Sequence, residues 1–532
     1  MNKEVLVRTK EYQILEKRIN SFLQGYKQNL ALLGPSFSGK THLIETFLEN
    51  NLLSKKFIFL YTDLEFSTFP NFTFQVFSSL LFYYLKQKEK FINDYNLDTL
   101  ILESQEFIPK TIEKIKSILT LSHSKERASW EQIAQVLDTF TDETQQKLIF
   151  VIENFTLLKN FSKKFLLDLA KYITLQKNIM FIFISRRKKE AENILSEELN
   201  LIFGSFEKIY LGNFSPYYAL TYLNNKLGNR LEISFKKFLI ELTDGFPLYL
   251  EIITNELLKV PKEKIEFESF IKKLSYLLNS EKSCLYQIFK GKLNLIKQNL
   301  KNIFLINPLL ILISSGYTRK KELASLLKTD SKNLNNKLSK LAELNILNKN
   351  GSFYFLPNKL FSFWLSSVFK IEIELPLVLY NDKEKIIEKK IKEKFEESEE
   401  ARKKDSFQRF LELVQLFKDD TIKTGKKLIS LPHIKRLKIV PARNKNMKFI
   451  IGEAKRYYLI LAFKEDIAQD TDILEFSTRC SYFRNKQPKK IFITLGGADY
   501  TAKLLAKEKR LYFWEREEVN FLLKLYNKPL II

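Results

Sequence analysis

Gly34-Pro35-Ser36-Phe37-Ser38-Gly39-Lys40-Thr41 holds two glycines, a lysine and a threonine at the spacing G-x-x-x-x-G-K-[ST]. That spacing suits a phosphate chain. Backbone N–H groups of a glycine loop and of the helix that follows it point at the anion. Lys40 is placed to reach the β/γ-phosphates, and the Thr41 hydroxyl to ligate Mg²⁺. The competing reading is a glycine turn ahead of an ordinary helix.

The context decides between them. Asn29–Leu33 reads as a short buried strand, and His42-Leu43-Ile44-Glu45-Thr46-Phe47-Leu48 as the start of a helix. Further apolar runs follow at Phe57–Tyr61, ending at Thr62-Asp63, and at Lys147–Asn154, Ile179–Arg186 and Lys208–Leu211. Helical patterns separate most of them. Apolar strands alternating with helices predict an α/β fold, a parallel sheet covered on both faces. Ligands of such sheets sit at the carboxyl ends of the strands, where Glu153, Asn154, Ser185 and Arg186 fall.

Arg8 and Glu11 upstream, the loop, the apolar strand to Glu153 and the later Thr243-Asp244-Gly245-Phe246-Pro247-Leu248-Tyr249-Leu250 resemble the archaeal-type ATPases of the STAND branch of AAA-related P-loop proteins. The resemblance runs through about the first 260 residues. It implies ATP and Mg²⁺ as cofactors, Arg8 and Glu11 near the adenine or the phosphates, and a helical lid whose Gly-x-Pro segment brings Pro247 over the nucleotide. The family carries Asp-Glu where this chain has Glu153-Asn154. Glu153 keeps a metal-side carboxylate. Asn154 can position water by hydrogen bonding but cannot accept a proton. Val7 stands where the family has glycine. No arginine occurs in Phe203–Glu207, so Arg186 or Arg187 takes that role or lies in a solvated loop with Lys188 and Lys189. The implication is ATP·Mg²⁺ binding with slow or absent hydrolysis.

Leu309–Gly316 ends a helix at a glycine stop. Thr318 is placed to cap Lys320–Leu327, and Asp330 or Ser331 to cap Asn333–Leu341. Leu344–Leu347 and Gly351–Phe355 then make a short wing. The order resembles a winged helix-turn-helix with Lys332–Leu341 as recognition helix. Its outward face carries Lys332, Asn333, Asn336, Lys337 and Lys340, types that contact phosphates or read adenine edges. Alternatively the module only packs against the ATPase.

The remainder reads as a charged helix, Asp382–Lys404, and a compact α/β domain. Thr421–Gly452 has no acidic residue but many cations, including Lys423, Lys426, Lys427, Lys435, Arg436, Lys438, Arg443, Lys445 and Lys448. Phe449–Lys455 ends in Glu453-x-Lys455, which resembles the metal-binding strand of PD-(D/E)xK nucleases. Lys438 near the expected Asp and Gln408 on the preceding helix imply a degenerate nuclease-like domain.

The boundaries read as a P-loop core at 1–215, a helical lid at 216–300, a winged helix at 301–370, a charged linker helix at 371–405 and a nuclease-like α/β domain, restriction-endonuclease-like in fold, at 406–532. The 532 residues carry a formal charge of +25, which points to a polyanionic partner such as DNA or other nucleic acid. Lysine-rich composition alone accounts for it equally well. Two cysteines, Cys284 and Cys480, exclude a disulfide framework and a zinc cluster. No leader pattern is visible, and the longest apolar run, Phe304–Ile313, contains Asn307 and Pro308. A cytoplasmic protein with no membrane span is therefore expected. The leading reading is a nucleotide-dependent switch that binds nucleic acid, as a homo-oligomer or with a protein partner. The alternatives are an ATP-regulated DNA nuclease, a replication-initiator-like DNA-binding ATPase and a pure protein-interaction switch.

Overall fold

The computed structural model describes residues 8–531 except 52–55, 66, 91–95, 122–128, 163, 200–205, 262, 301–303, 345, 425–426, 445, 456 and 484–487. Val7, Phe203–Ser205, Lys426 and Lys445 lie outside the described residues. The chain divides into two compact units, Met1–Tyr218 with Phe246–Leu248, and Ala219–Gly245 with Tyr249–Ile532.

In the first unit, helix α1 (Thr9–Leu23) precedes strand β1 (Leu30–Leu33), helix α2 (Lys40–Asn51), strand β2 (Phe57–Asp63) and helix α3 (Phe69–Gln87). Helices Leu97–Ser104, Pro109–Leu121 and Trp130–Thr144 come next, then β3 (Lys147–Glu153), helix Phe165–Leu175, β4 (Ile179–Ser185) and β5 (Glu207–Tyr210). All pairings are parallel, in the order β2-β3-β4-β1-β5. The period of two along each strand sends neighbouring residues to opposite faces. Leu148, Phe150 and Ile152 join one core with Phe72, Phe77 and Phe140. Ile149 and Val151 join the other with Leu15, Ile19, Leu43 and Phe47 of α1 and α2. Burial on both faces explains why these strands read as unbroken apolar runs.

The second unit opens with helices, among them Ile233–Thr243, Pro247–Leu258, Phe267–Asn279 and Cys284–Asn299. Ile306–Ser314, Lys320–Leu326 and Ser331–Glu343 are three helices, followed by the hairpin β6 (Asn348–Asn350)/β7 (Phe353–Phe355), at the place where a helix-turn-helix and wing are expected. The hairpin's first strand thus starts immediately after the expected Leu344–Leu347. Thr318 is not a cap: the residue before helix Lys320–Leu326 is Arg319, with no side-chain cap. Thr318 O instead accepts from Tyr354 N at 2.8 Å, and Arg319 bridges to Phe353. The chain is strand-like up to Arg319, which delays the helix. Asp330 does cap the next helix, accepting from Lys332 N at 2.9 Å and Asn333 N at 2.8 Å.

The charged helix Tyr380–Lys403 buries Ile387 and Ile391, and its Phe395 ring lies 5.3 Å from Phe238. After helix Ser406–Gln415 and hairpin β8 (Asp420–Thr424)/β9 (Lys427–Leu431) comes a mixed sheet. Its order is β10 (Ile434–Pro441), β11 (Met447–Ala454), β12 (Tyr458–Lys464), β13 (Lys489–Thr494) and β14 (Tyr512–Trp514). The first three strands run antiparallel and the last three parallel. β10 is an edge strand with Lys435, Arg436 and Lys438 exposed. Among the described residues no helix is long and apolar enough to cross a membrane.

Candidate functional site

The loop between β1 and α2 is built tightly. Gly34 N donates to Ser185 O at 3.2 Å. A Cβ at Gly34 would lie 2.0 Å from Leu211 O, so only glycine fits. Ser38 N donates to Pro35 O at 3.3 Å. Ser36 is half-buried, while Phe37, in a left-handed conformation, leaves its ring 67% exposed. Gly39 precedes Lys40, the first residue of α2. Lys40 is buried and folds back over the loop, its Nζ donating to Pro35 O at 2.7 Å and Gly34 O at 3.0 Å. Burial lowers its ammonium to about 8; Glu153 opposes that shift and Arg186 and Arg8 add to it.

Thr41 Oγ1 donates to Glu153, at 3.1 Å to Oε1 and 3.2 Å to Oε2. His42, next on the helix, is exposed. The Tyr61 hydroxyl donates to Glu153 Oε2. β2 and β3 pair in register with Asp63 beside Glu153. Asn154, left-handed at φ 54, donates from Nδ2 to Asp63 Oδ1 at 2.8 Å. The Asn154 amide is therefore engaged with a carboxylate. Tyr61 and Asp63 were not singled out in the sequence, although the rule that ligands meet strand ends applied to β2 as well. Arg186 pairs with Glu65 at 2.7 Å and Arg187 with Glu190 at 3.2 Å.

Arg8 supports the loop from below. Its Nη2 donates to Ser38 O at 2.7 Å and Gly212 O at 2.5 Å, and its guanidinium lies 5.0 Å from the Phe214 ring centre. Nη1 lies 3.5 Å from Glu11 Oε1. Arg8 Nε and Glu11 Oε2 are buried with no hydrogen-bond partner among the described residues. Unpaired buried polar atoms are costly, and here both lie next to the loop. Pro247 opens helix Pro247–Leu258 after left-handed Asp244 and Gly245, and groups with the loop's own unit.

In the second unit, Lys332, Asn333, Asn336 and Lys340 are exposed on helix Ser331–Glu343, and Lys337 is half-buried. The wing is engaged elsewhere. Ser352 N donates to Thr421 O at 2.9 Å, Lys423 N donates to Asn350 Oδ1 at 2.7 Å, and a Cβ at Gly351 would lie 1.9 Å from Thr421 O.

Glu453 is half-buried near the end of β11, and Lys455 is exposed beyond it. The register sets Arg436, not Lys438, directly opposite Glu453; Lys438 stands opposite Ile451. Tyr458 flanks Glu453 on the other side. Gln408 is exposed in the first turn of its helix. Among the described residues no three His, Cys, Asp or Glu side chains gather to hold a metal ion.

The parallel sheet, with β4 between the loop strand β1 and the Glu153 strand β3, makes the first unit a P-loop NTPase-like α/β fold. No family model and no curated protein sequence matches the chain. Solved structures are similar to it at low identity. A Walker-type ATPase of Pyrococcus abyssi is 16% identical with a TM-score of 0.45, over 67% of this chain and 95% of that one. The ORC2 protein of Aeropyrum pernix is 12% identical with a TM-score of 0.40, over 74% and 95%. Cdc6p of Pyrobaculum aerophilum is 12% identical with a TM-score of 0.34, over 73% and 94%.

Proposed function

We propose that the first unit binds ATP with Mg²⁺ and acts as a nucleotide-dependent switch whose hydrolysis is weak or absent. The observation that carries this reading is the pair Thr41–Glu153: a hydroxyl and a carboxylate 3.1 Å apart at the lip of a loop whose lysine is held ready by its own carbonyls. Bound phosphates would take Lys40 from those carbonyls, and Mg²⁺ would sit with Thr41 and Glu153 as its protein-side groups. The metal would neutralise phosphate charge. Arg8 Nε and Glu11 Oε2, without hydrogen-bond partners among the described residues, would be open to a nucleotide. The Phe246–Leu248 segment, which opens helix Pro247–Leu258 and groups with this unit while the rest of that helix does not, is the element that would read nucleotide state.

Weak hydrolysis follows from Asn154, which has no basic oxygen to take a proton and spends its amide on Asp63. The test is ATP binding and single-turnover hydrolysis side by side. Lys40→Ala should abolish binding. Turnover near the enzyme median of about 10 per second would refute the switch reading, and unchanged affinity in Lys40→Ala would refute the site.

The second unit, in this reading, contacts nucleic acid through the exposed face of helix Ser331–Glu343. Glu453 and Lys455 belong to a binding surface rather than a nuclease centre, because the side chain set opposite Glu453 is a guanidinium.

A further inference from the structure

A cavity of about 380 Å³ lies within the second unit, and neither the loop at Gly34–Thr41 nor Glu453 lines it. Its walls come from helix Ile233–Thr243, the turn after Ile306–Ser314, β7, the helix that starts at Lys359, the charged helix and the C-terminal tail. The volume is in the range of small-molecule pockets.

The lining has two chemistries. Phe238, Leu242, Phe355 and Phe363 give an apolar wall. Five lysines face three glutamates across the rest. Most of these charges are already committed. Lys394 pairs with Glu397 at 2.7 Å, Lys524 pairs with Asp244, and Lys390 donates to Ser366 O at 3.1 Å. Glu241 accepts from Ser398 at 2.5 Å and lies 3.9 Å from Arg402. Glu393 is exposed.

Lys359 and Lys528 are left over. Neither side chain makes a hydrogen bond or an ion pair among the described residues. Lys528 is exposed at the rim, whereas Lys359 is only partly exposed. Burial lowers the Lys359 ammonium to about 8, with Asp244 and Glu241 opposing the shift and Lys524 and Lys394 adding to it. A shielded cation with no carboxylate in direct contact costs stability. Serines 314, 315 and 362 add hydroxyls around the lysines. Cations and hydroxyls beside an aromatic wall suit a phosphate joined to a flat apolar body.

We infer that this cavity is a second ligand site, which takes a small phosphorylated molecule carrying an aromatic part. The phosphate meets Lys359 and Lys528, and the aromatic part lies against Phe355 and Phe363. The inference is independent of the loop at Gly34–Thr41.

The test is titration of the full chain with 1-naphthyl phosphate by calorimetry, with 1-naphthol as the uncharged control. One saturable site is expected, absent for 1-naphthol and intact in Lys40→Ala. The double variant Lys359→Gln with Lys528→Gln should weaken it by about tenfold or more. If that variant melts early, Ser315→Trp, which fills the cavity from its exposed rim, should abolish binding with melting unchanged. Absence of saturation, equal binding of 1-naphthol, binding that the cavity variants leave intact, or binding lost in Lys40→Ala would each overturn the proposal.

Discussion

Arg319 Nε donates to Asp420 Oδ1 at 2.7 Å and its Nη2 to Oδ2 at 2.9 Å, a two-pronged bond between the start of the helix-turn-helix and the first residue of β8. Tyr526 donates to the same carboxylate at 2.8 Å. With the Ser352 and Asn350 bonds to Thr421 and Lys423, this ties the wing to the β8/β9 hairpin.

Asp420 should therefore be a stability switch at low pH. Burial pushes its carboxyl up, but Arg319, Tyr526 and the Lys418 N–H together hold it below the usual range. Its contribution is present above the ordinary Asp value near 3.9 and lost as pH falls through the lower folded value. Asp420→Asn takes the two-pronged partner from the half-buried Arg319, leaving it only Glu322 at 3.3 Å, and should cost about 2 kcal/mol. Denaturant unfolding at neutral and acid pH checks both.

ATP affinity should fall as pH rises past about 8, where the folded Lys40 loses its proton. Bound phosphate favours the charged form, so binding just above that pH should take up a proton, and affinity should drop about tenfold per pH unit until the ordinary lysine value is approached. Calorimetry in buffers of different ionisation enthalpy measures the uptake. Lys40→Met should show none.

Glu153 and Tyr61 should be separable by their metal dependence. Glu153→Gln should remove the gain in ATP affinity that Mg²⁺ brings. Tyr61→Phe keeps the carboxylate but loses the hydroxyl that orients it, and should raise the Mg²⁺ concentration needed by about tenfold. Magnesium titrations at fixed ATP distinguish the two.

If helix Ser331–Glu343 meets nucleic acid, the contact should be one-sided, because the wing is already spent on β8. Replacing Lys332, Lys337 and Lys340 with Gln should lessen the slope of log affinity against log salt by about one per lysine. Sequence preference should respond to Asn336→Ala alone. Unchanged slopes would exclude this face.

Much of this was readable because it is local. The strand, loop and helix around Gly34–Thr41 follow from a contiguous apolar run and glycine spacing, and Asp330 caps its helix through its own neighbours. What depends on register was not readable. Asp63 meets Asn154 only because β2 pairs β3 without offset. Arg436 faces Glu453, and Lys438 faces Ile451, because of the register in which β10 runs antiparallel to β11. Thr318 obeyed the capping preference on paper, but its carbonyl was claimed by a strand thirty-odd residues away.

The exposed cations of β10 have a consequence unrelated to any polyanion. An edge strand offers unpaired backbone groups to a second sheet, and inserted charge is how natural sheets discourage that. Lys435, Arg436 and Lys438 guard such an edge. Neutralising them should show first as growth of oligomers by strand addition, before any change in what the protein binds.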